Sequence, residues 1–253
     1  MHQYLFFIGN FPIRLYGIFF SLGIISGCIT AYFLLKKDRR GWESHMFDLG
    51  LVIAFAGIVG GRLWDVFFFD WEYYHNHLLE IPYIWQGGMA IQGGIIFACI
   101  AAYFYLKKHQ IPVLPFADTV TPGIILGQAI GRIANFMNGD AFGHPTGQDF
   151  GLLYPDTTLA YHTYGAQPLW PAEVWECQGD LLIFVLLLWY GCKTRAEGTT
   201  FCLYIMFYSL LRFFLENYRG DYGTLALGLK SAQLTSLAAF AGAFILFLYF
   251  HFK

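Results

Sequence analysis

Apolar residues recur along this chain in seven long runs separated by short polar connections. They occupy residues 15–35, 47–69, 89–106, 113–137, 177–191, 199–215 and 231–252. A helix needs about 20 apolar residues to cross the hydrocarbon core of a bilayer. The pattern therefore predicts an all-α, polytopic integral membrane protein with about seven transmembrane helices. The third and fifth runs are short, which makes them partly re-entrant or extended into the headgroup layer. No repeat, low-complexity tract or soluble segment interrupts the series, so residues 1–253 are expected to form a single transmembrane domain.

Positive charge orients the spans. Lys36, Lys37, Arg39 and Arg40 follow the first run, Lys107 and Lys108 the third, Lys193 and Arg195 the fifth, and Lys253 the seventh. These nine fall on one side, and only three, Arg14, Arg219 and Lys230, fall in the opposite loops. The excess predicts an N-out, C-in topology. The outer face then carries residues 70–83 and a longer extracytoplasmic loop at about 138–171, rich in Gly, Pro, Asp, His and Tyr. A polar connection of that length in so economical a chain points to function. Trp64, Trp71, Trp85, Trp170 and Trp175 gather toward the same side, where an interfacial aromatic belt accounts for most of them.

Composition narrows the class. Only 13% of the residues are charged and 57% are hydrophobic, against about 25% charged in a soluble domain. The recurrence of apolar runs excludes a soluble protein with one cleavable signal or anchor. A formal net charge of -2 and the lack of a long basic tract leave nothing that would bind nucleic acid. Cys28, Cys99, Cys177, Cys192 and Cys202 lie in or beside apolar runs without metal or disulfide spacing, and read as small apolar side chains.

Three arginines stand inside or at the edge of these runs: Arg62, Arg132 and Arg212. A charge at mid-helix costs about 2.5–3.5 kcal/mol on insertion scales, and persists where it pairs, snorkels or serves a site. In the N-out topology all three sit in the outer part of their spans and could converge on one outward-facing cavity. Asp65 follows Arg62 by three residues, a spacing that fits either an ion pair for insertion or part of a site. Glu216 follows Arg212 by four, and Arg219 continues that face. Arg132 has only amides near it on its own helix, Asn135 on the same face and Asn138 at the end, with Asp140 beyond. Its charge is expected to be free for an anion, and convergent arginines suit a phosphate. In a membrane the obvious phosphate is a phospholipid headgroup. Gly57 with Gly61, and Gly127 with Gly131, form small-xxx-small pairs on the helices that carry Arg62 and Arg132. The doublets Gly87-Gly88 and Gly93-Gly94 imply backbone approaching either a ligand or another helix.

GRIANFMNGDAFG, at residues 131–143, resembles the signature G-R-x-x-N-F-x-N-G-E-x-x-G of the bacterial prolipoprotein (phosphatidylglycerol) diacylglyceryl transferases. RLYG at Arg14, GGRLWD at Gly60, IWQGGMAIQGG at Ile84, TYG at Thr163 and RFFLENYR at Arg212 match the same family in order. The resemblance implies a multi-pass protein of the bacterial cytoplasmic (inner) membrane. It implies transfer of the diacylglyceryl group of phosphatidylglycerol to the lipobox cysteine of a prolipoprotein signal peptide, with release of glycerol phosphate and no metal or soluble cofactor. It also implies roles. Arg132 and Arg212 would bind the phosphate, Asn135 would orient it, Glu216 would hold Arg212 or Arg219, and Tyr16 would line the lipid site. Asp140, in the place of the signature glutamate, and Gln92 join them as catalytic candidates. Arg62, Asn138, Gly93, Gly94 and Arg219 are the remaining substrate-binding candidates.

The chain departs from the pattern near its chemistry. The family's H-G-G is Gln92-Gly93-Gly94, and glutamine cannot take up a proton. Asp65 stands where a tyrosine is usual, and the H-P-S-Q-L-Y-E stretch is Trp170-Pro171-Ala172-Glu173-Val174-Trp175-Glu176. His144 or His162 could supply an imidazole instead. Against the transferase stand a relative with another acceptor or headgroup, a non-catalytic anionic-lipid-binding relative, and an anion transporter. The last lacks paired broken helices and internal symmetry.

Overall fold

The computed structural model describes residues 4–9, 11–191, 196–220, 224–226 and 228–252. Cys192, Lys193, Arg195 and Lys253, named above for packing or orientation, lie outside the described residues. In chain order the helices are α1 (Leu15–Asp38), α2 (Met46–Trp64), α3 (Trp71–Tyr74), α4 (Ile91–Lys108) and α5 (Val113–Asn138). There follow α6 (Leu159–Tyr164), α7 (Ala172–Gly191), α8 (Thr199–Leu215) and α9 (Ser231–His251). Each of the seven apolar runs is helical. Two small antiparallel hairpins, β1 (Tyr4–Ile8) with β2 (Phe11–Arg14) and β3 (Thr224–Ala226) with β4 (Leu229–Lys230), add strand that the apolar pattern does not announce.

Four stretches, Leu15–Asp38, Trp42–Phe69, Val113–Asn138 and Ser231–His251, are long and apolar enough to cross a membrane. Phe33, Leu51, Phe55 and Ile245 on them are exposed, a surface that suits lipid rather than water. The chain is thus a multi-pass membrane protein. One boundary differs instructively from expectation. The fifth apolar run starts at residue 177, but α7 begins at Ala172 and carries Glu173 and Glu176 in its first turns. Hydropathy ends a run at a carboxylate, whereas a helix continues through one whose side chain finds buried partners.

The described chain divides into two compact units, Arg39–Phe116 and Met1–Asp38 with Ala117–Lys253. In the second of these, α1 crosses α5 at glycine. A Cβ on Gly23 would stand 2.7 Å from the Gly127 carbonyl oxygen, and one on Gly27 2.7 Å from that of Gly123. Only hydrogen at these positions lets the backbones approach so closely. Ile125 of α5 packs with Ile183 and Leu187 of α7, flanked by Leu203, Phe207 and Leu211 of α8. Asp118 fastens α8 to α5, its carboxylate accepting from the N–H groups of Gly198 and Phe201 at 2.7 and 2.8 Å. These are donors that the start of a helix leaves without intrahelical partners.

The 138–171 connection is folded rather than loose. Phe142, Tyr154, Ala160 and Leu169 form a small core of their own. The Thr158 side chain caps α6, and the Leu152 and Leu169 backbones bond each other at 2.8 and 3.0 Å. The N–H of His144 donates to the Tyr218 carbonyl (2.9 Å) and that of Gly220 to the Phe142 carbonyl (3.1 Å), so the connection is stitched to the segment just after α8.

In the Arg39–Phe116 unit, α2 and α4 pack through Gly57, Gly60 and Gly61 against Gly93, Gly94 and Ala90. Gly87 and Gly88 have φ of 99° and 73°, conformations that L side chains adopt at a cost. Gly27→Val should lower stability by about 1–3 kcal/mol through overpacking at the α1–α5 crossing, read as an earlier thermal unfolding midpoint in detergent.

Candidate functional site

Glu176 is the centre of the site. It enters from α7, is 1% exposed, and pairs with three arginines, from α5, α8 and the segment after α8. Its Oε1 lies 2.7 Å from Nη2 of Arg132 on α5, and its Oε2 lies 3.1 Å from Nη1 of Arg212 on α8 and 3.6 Å from Nη1 of Arg219. Glu216, one turn beyond Arg212, holds that guanidinium from the other side at 2.8 Å and approaches Arg219 at 4.0 Å. The Tyr208 hydroxyl donates to Glu176 (3.2 Å) and accepts from Arg132 (3.3 Å). Two buried carboxylates therefore hold three like charges that would otherwise repel one another in a poorly screened interior.

The arginines are not buried as deeply as the acids beneath them. The side chains of Arg132 and Arg212 keep 19% and 14% of their surface, while Glu176 and Glu216 keep 1% and 0%. The carboxylates are withdrawn from solvent, while part of the Arg132 and Arg212 guanidinium groups stays exposed. Arg219, at 5%, is more enclosed. Such an arrangement can take a further anion on its open face without moving the cations.

The signature segment lies beside this cluster. Asn135 Oδ1 accepts from Arg132 Nη1 at 3.3 Å, and its Nδ2 donates to Asp140 Oδ1 at 2.7 Å. Asn138 donates to the other oxygen of Asp140 at 2.8 Å. Two side-chain amides thus clamp the Asp140 carboxylate at the end of α5, with Gly139 (φ 73°) turning the chain between them. Tyr16, second residue of α1, lies within electrostatic reach of Asp140 and Arg132. Glu173, fully buried one turn before Glu176, accepts a hydrogen bond from the Tyr154 hydroxyl of the 138–171 connection. Burial first, and then the Glu173 carboxylate, push the Tyr154 phenol well above its ordinary pKa and keep it a donor.

Several expectations are corrected. The charge of Arg132 is not free of carboxylates, because Glu176 reaches it from another helix, a partner that spacing along α5 cannot reveal. Arg62 lies in the Arg39–Phe116 unit, 3% exposed, and donates to the carbonyls of Glu80, Ile81, Gly87 and Gly88 at 2.6–3.1 Å. Its guanidinium also stands 4.8 Å over the Tyr74 ring, with Asp65 at 4.0 Å. These bonds make Arg62 a clamp on the segment that joins α2 to α4. Gly93 and Gly94 serve the α2–α4 contact, since a Cβ on either would meet α2 backbone. Gln92 is exposed near the start of α4. The His144 ring bonds the neighbouring Pro145 carbonyl (2.9 Å), and His162 is exposed on α6.

Glu176, Tyr208 and Asp180 are absent from the candidates chosen by sequence. The signal was present as polar residues every fourth position in apolar helices: Glu176 and Asp180 on α7, and Thr200, Tyr204, Tyr208, Arg212 and Glu216 along α8. Glu176→Ala should destabilise the protein by about 3–5 kcal/mol, because it leaves buried guanidinium groups without their shared counter-ion. A chemical-denaturation midpoint in detergent measures it. Arg62→Lys should cost about 1.5–3 kcal/mol, since an ammonium cannot meet four carbonyls as a planar fork does, and should expose residues 71–90 to limited proteolysis.

Residues 3–249 match the family model described as prolipoprotein diacylglyceryl transferase. A protein of Clostridium botulinum strain Langeland, named phosphatidylglycerol–prolipoprotein diacylglyceryl transferase, is 35% identical over 238 residues, covering 94% of this chain and 92% of its own length. Proteins of the same name from Staphylococcus saprophyticus and Geobacillus kaustophilus are each 36% identical, covering 91% of this chain and 82% and 85% of their own lengths. With a match over nearly its whole length and a cluster of arginines suited to a phosphate, the chain belongs to the prolipoprotein diacylglyceryl transferase family.

Proposed function

We propose that this protein transfers the diacylglyceryl group of phosphatidylglycerol to the lipobox cysteine of a prolipoprotein signal peptide, releasing glycerol phosphate. The observation that carries the reading is the pair Arg132 and Arg212, partly exposed above the buried Glu176 and Glu216. In the reaction the cysteine sulfur attacks the glyceryl carbon that bears the phosphate. A C–S bond forms, the C–O bond breaks, its electron pair leaves on the phosphate oxygen, and the thiol proton is released. A free cysteine is already a few per cent thiolate near neutral pH, so the protein's larger task is to hold lipid and peptide in line and stabilise the leaving phosphate.

Arg132 and Arg212 bind that phosphate by charge-assisted hydrogen bonds. Glu176 and Glu216 fix the two guanidinium groups, and Arg219 completes the balance of charge. Asn135 orients Arg132 and, with Asn138, sets Asp140 at the mouth of the site. Tyr16 lines the lipid side. Seven spans with the N-terminus outside would open this end of the helices to exported peptides at the outer face of the bacterial cytoplasmic membrane. Gln92, which cannot act as an acid or base, favours a second reading in which the lipid is bound but the acceptor differs.

Reconstituted with phosphatidylglycerol and a lipobox peptide, the protein should yield lipidated peptide and glycerol phosphate in equal amounts. Bound lipid without either product sinks the transferase reading and supports the second. Arg132→Ala should reduce transfer roughly 100-fold or more, and near-normal turnover would show that it does not hold the phosphate.

A further inference from the structure

Beneath the arginine cluster lies a second polar layer that the ion pairs leave unused. Asp180 stands one helical turn along α7 from Glu176, about 5.4 Å deeper. It is fully buried, and neither of its carboxylate oxygens has a hydrogen-bond partner among the described residues. It lies within electrostatic reach of Arg132, Arg212 and Tyr208. On α5, Gln128 sits one turn before Arg132. Its Oε1 accepts from the Tyr204 hydroxyl at 3.0 Å, and Tyr204 stacks on Tyr208. The Nε2 of Gln128 and the Nε of Arg132 are buried donors without partners among the described residues.

Buried acceptors on α7 and buried donors on α5 thus lie within one helical turn of the Arg132–Glu176 ion pair without bonding each other. Buried polar groups are nearly always satisfied, and those left open in one layer await a third group. The missing group must donate to Asp180 and accept from Gln128 and Arg132. A hydroxyl, of water or of a ligand, does both. An ammonium only donates, and an alkyl headgroup does neither. A molecule with a phosphate at Arg132 and Arg212 and hydroxyls about one helical turn away is a phosphoglycerol.

We propose that Asp180 and Gln128 form a subsite for the glycerol hydroxyls of phosphatidylglycerol, and so select it over anionic lipids that lack the diol. The subsite rests on the reading of Arg132 and Arg212 as phosphate ligands. It divides recognition into two parts: the guanidinium groups accept any phosphate diester, and the layer below reads the alcohol. Asp180 acts here as a specificity residue and takes no part in the C–S bond-forming step.

The full chain in nanodiscs is offered phosphatidylglycerol in competition with phosphatidylpropanol, which has the same phosphate and acyl chains but no headgroup hydroxyl. Binding is read by native mass spectrometry, so turnover is not needed. The unsubstituted protein should prefer phosphatidylglycerol roughly tenfold or more, and Asp180→Asn and Gln128→Leu should each bring the ratio toward unity. Equal binding of the two lipids by the unsubstituted protein overturns the subsite without recourse to any variant. A preference that both substitutions leave intact also overturns it and assigns the layer to water. A preference that shifts in the variants, in a protein that never lipidates a peptide, upholds the subsite while removing the transferase reading.

Discussion

Glu176 is almost wholly withdrawn from solvent, yet it is shared by guanidinium groups that arrive from α5, from α8 and from the segment after α8. Either charge alone would be costly in so apolar a protein, and the cations alone would drive their helices apart. Together they form a network whose members need one another. The ends of these helices are held together by it, and the arginines are held at fixed spacing with part of their surface still open. The carboxylate that makes the arginines tolerable also fixes their positions.

The rest of the Met1–Asp38 and Ala117–Lys253 unit supports that network at several levels. Glycines on α1 and α5 allow close helix contact, Asp118 secures the start of α8, and an aliphatic cluster joins α5, α7 and α8 below the charged end. The 138–171 connection is anchored on both flanks of the site, through Asp140 to Asn135 and Asn138 and through the backbone of His144 to Tyr218. The Arg39–Phe116 unit uses arginine differently. There Arg62 gathers carbonyl groups of the segment between α2 and α4.

Much of the fold was legible in the order of residues. Every apolar run became a helix, because a segment in lipid must satisfy its backbone internally. The signature at residues 131–143 located the Arg132 end of α5, and the spacing of Arg212, Glu216 and Arg219 announced an ion-pair ladder on one face. The start of α7 was misplaced because the reading stopped at Glu173 and Glu176, charged residues whose partners lie elsewhere in the chain. For the same reason Arg132 looked unpaired. Periodicity describes one helix at a time, and its nearest carboxylate belonged to another.

Sequence by itself therefore determined the class of protein, the positions of its helices and the residue types available for a phosphate. Only the tertiary structure decided which charges meet. It placed Glu176 among three arginines, bonded Arg62 to the carbonyls of residues 80, 81, 87 and 88, turned the Gly93-Gly94 doublet into a helix contact, and left the Asp180 carboxylate and the Gln128 Nε2 without hydrogen-bond partners among the described residues. The physical reason is that pairing within a helix follows from spacing, whereas pairing between helices depends on rotation and depth, which side-chain packing sets.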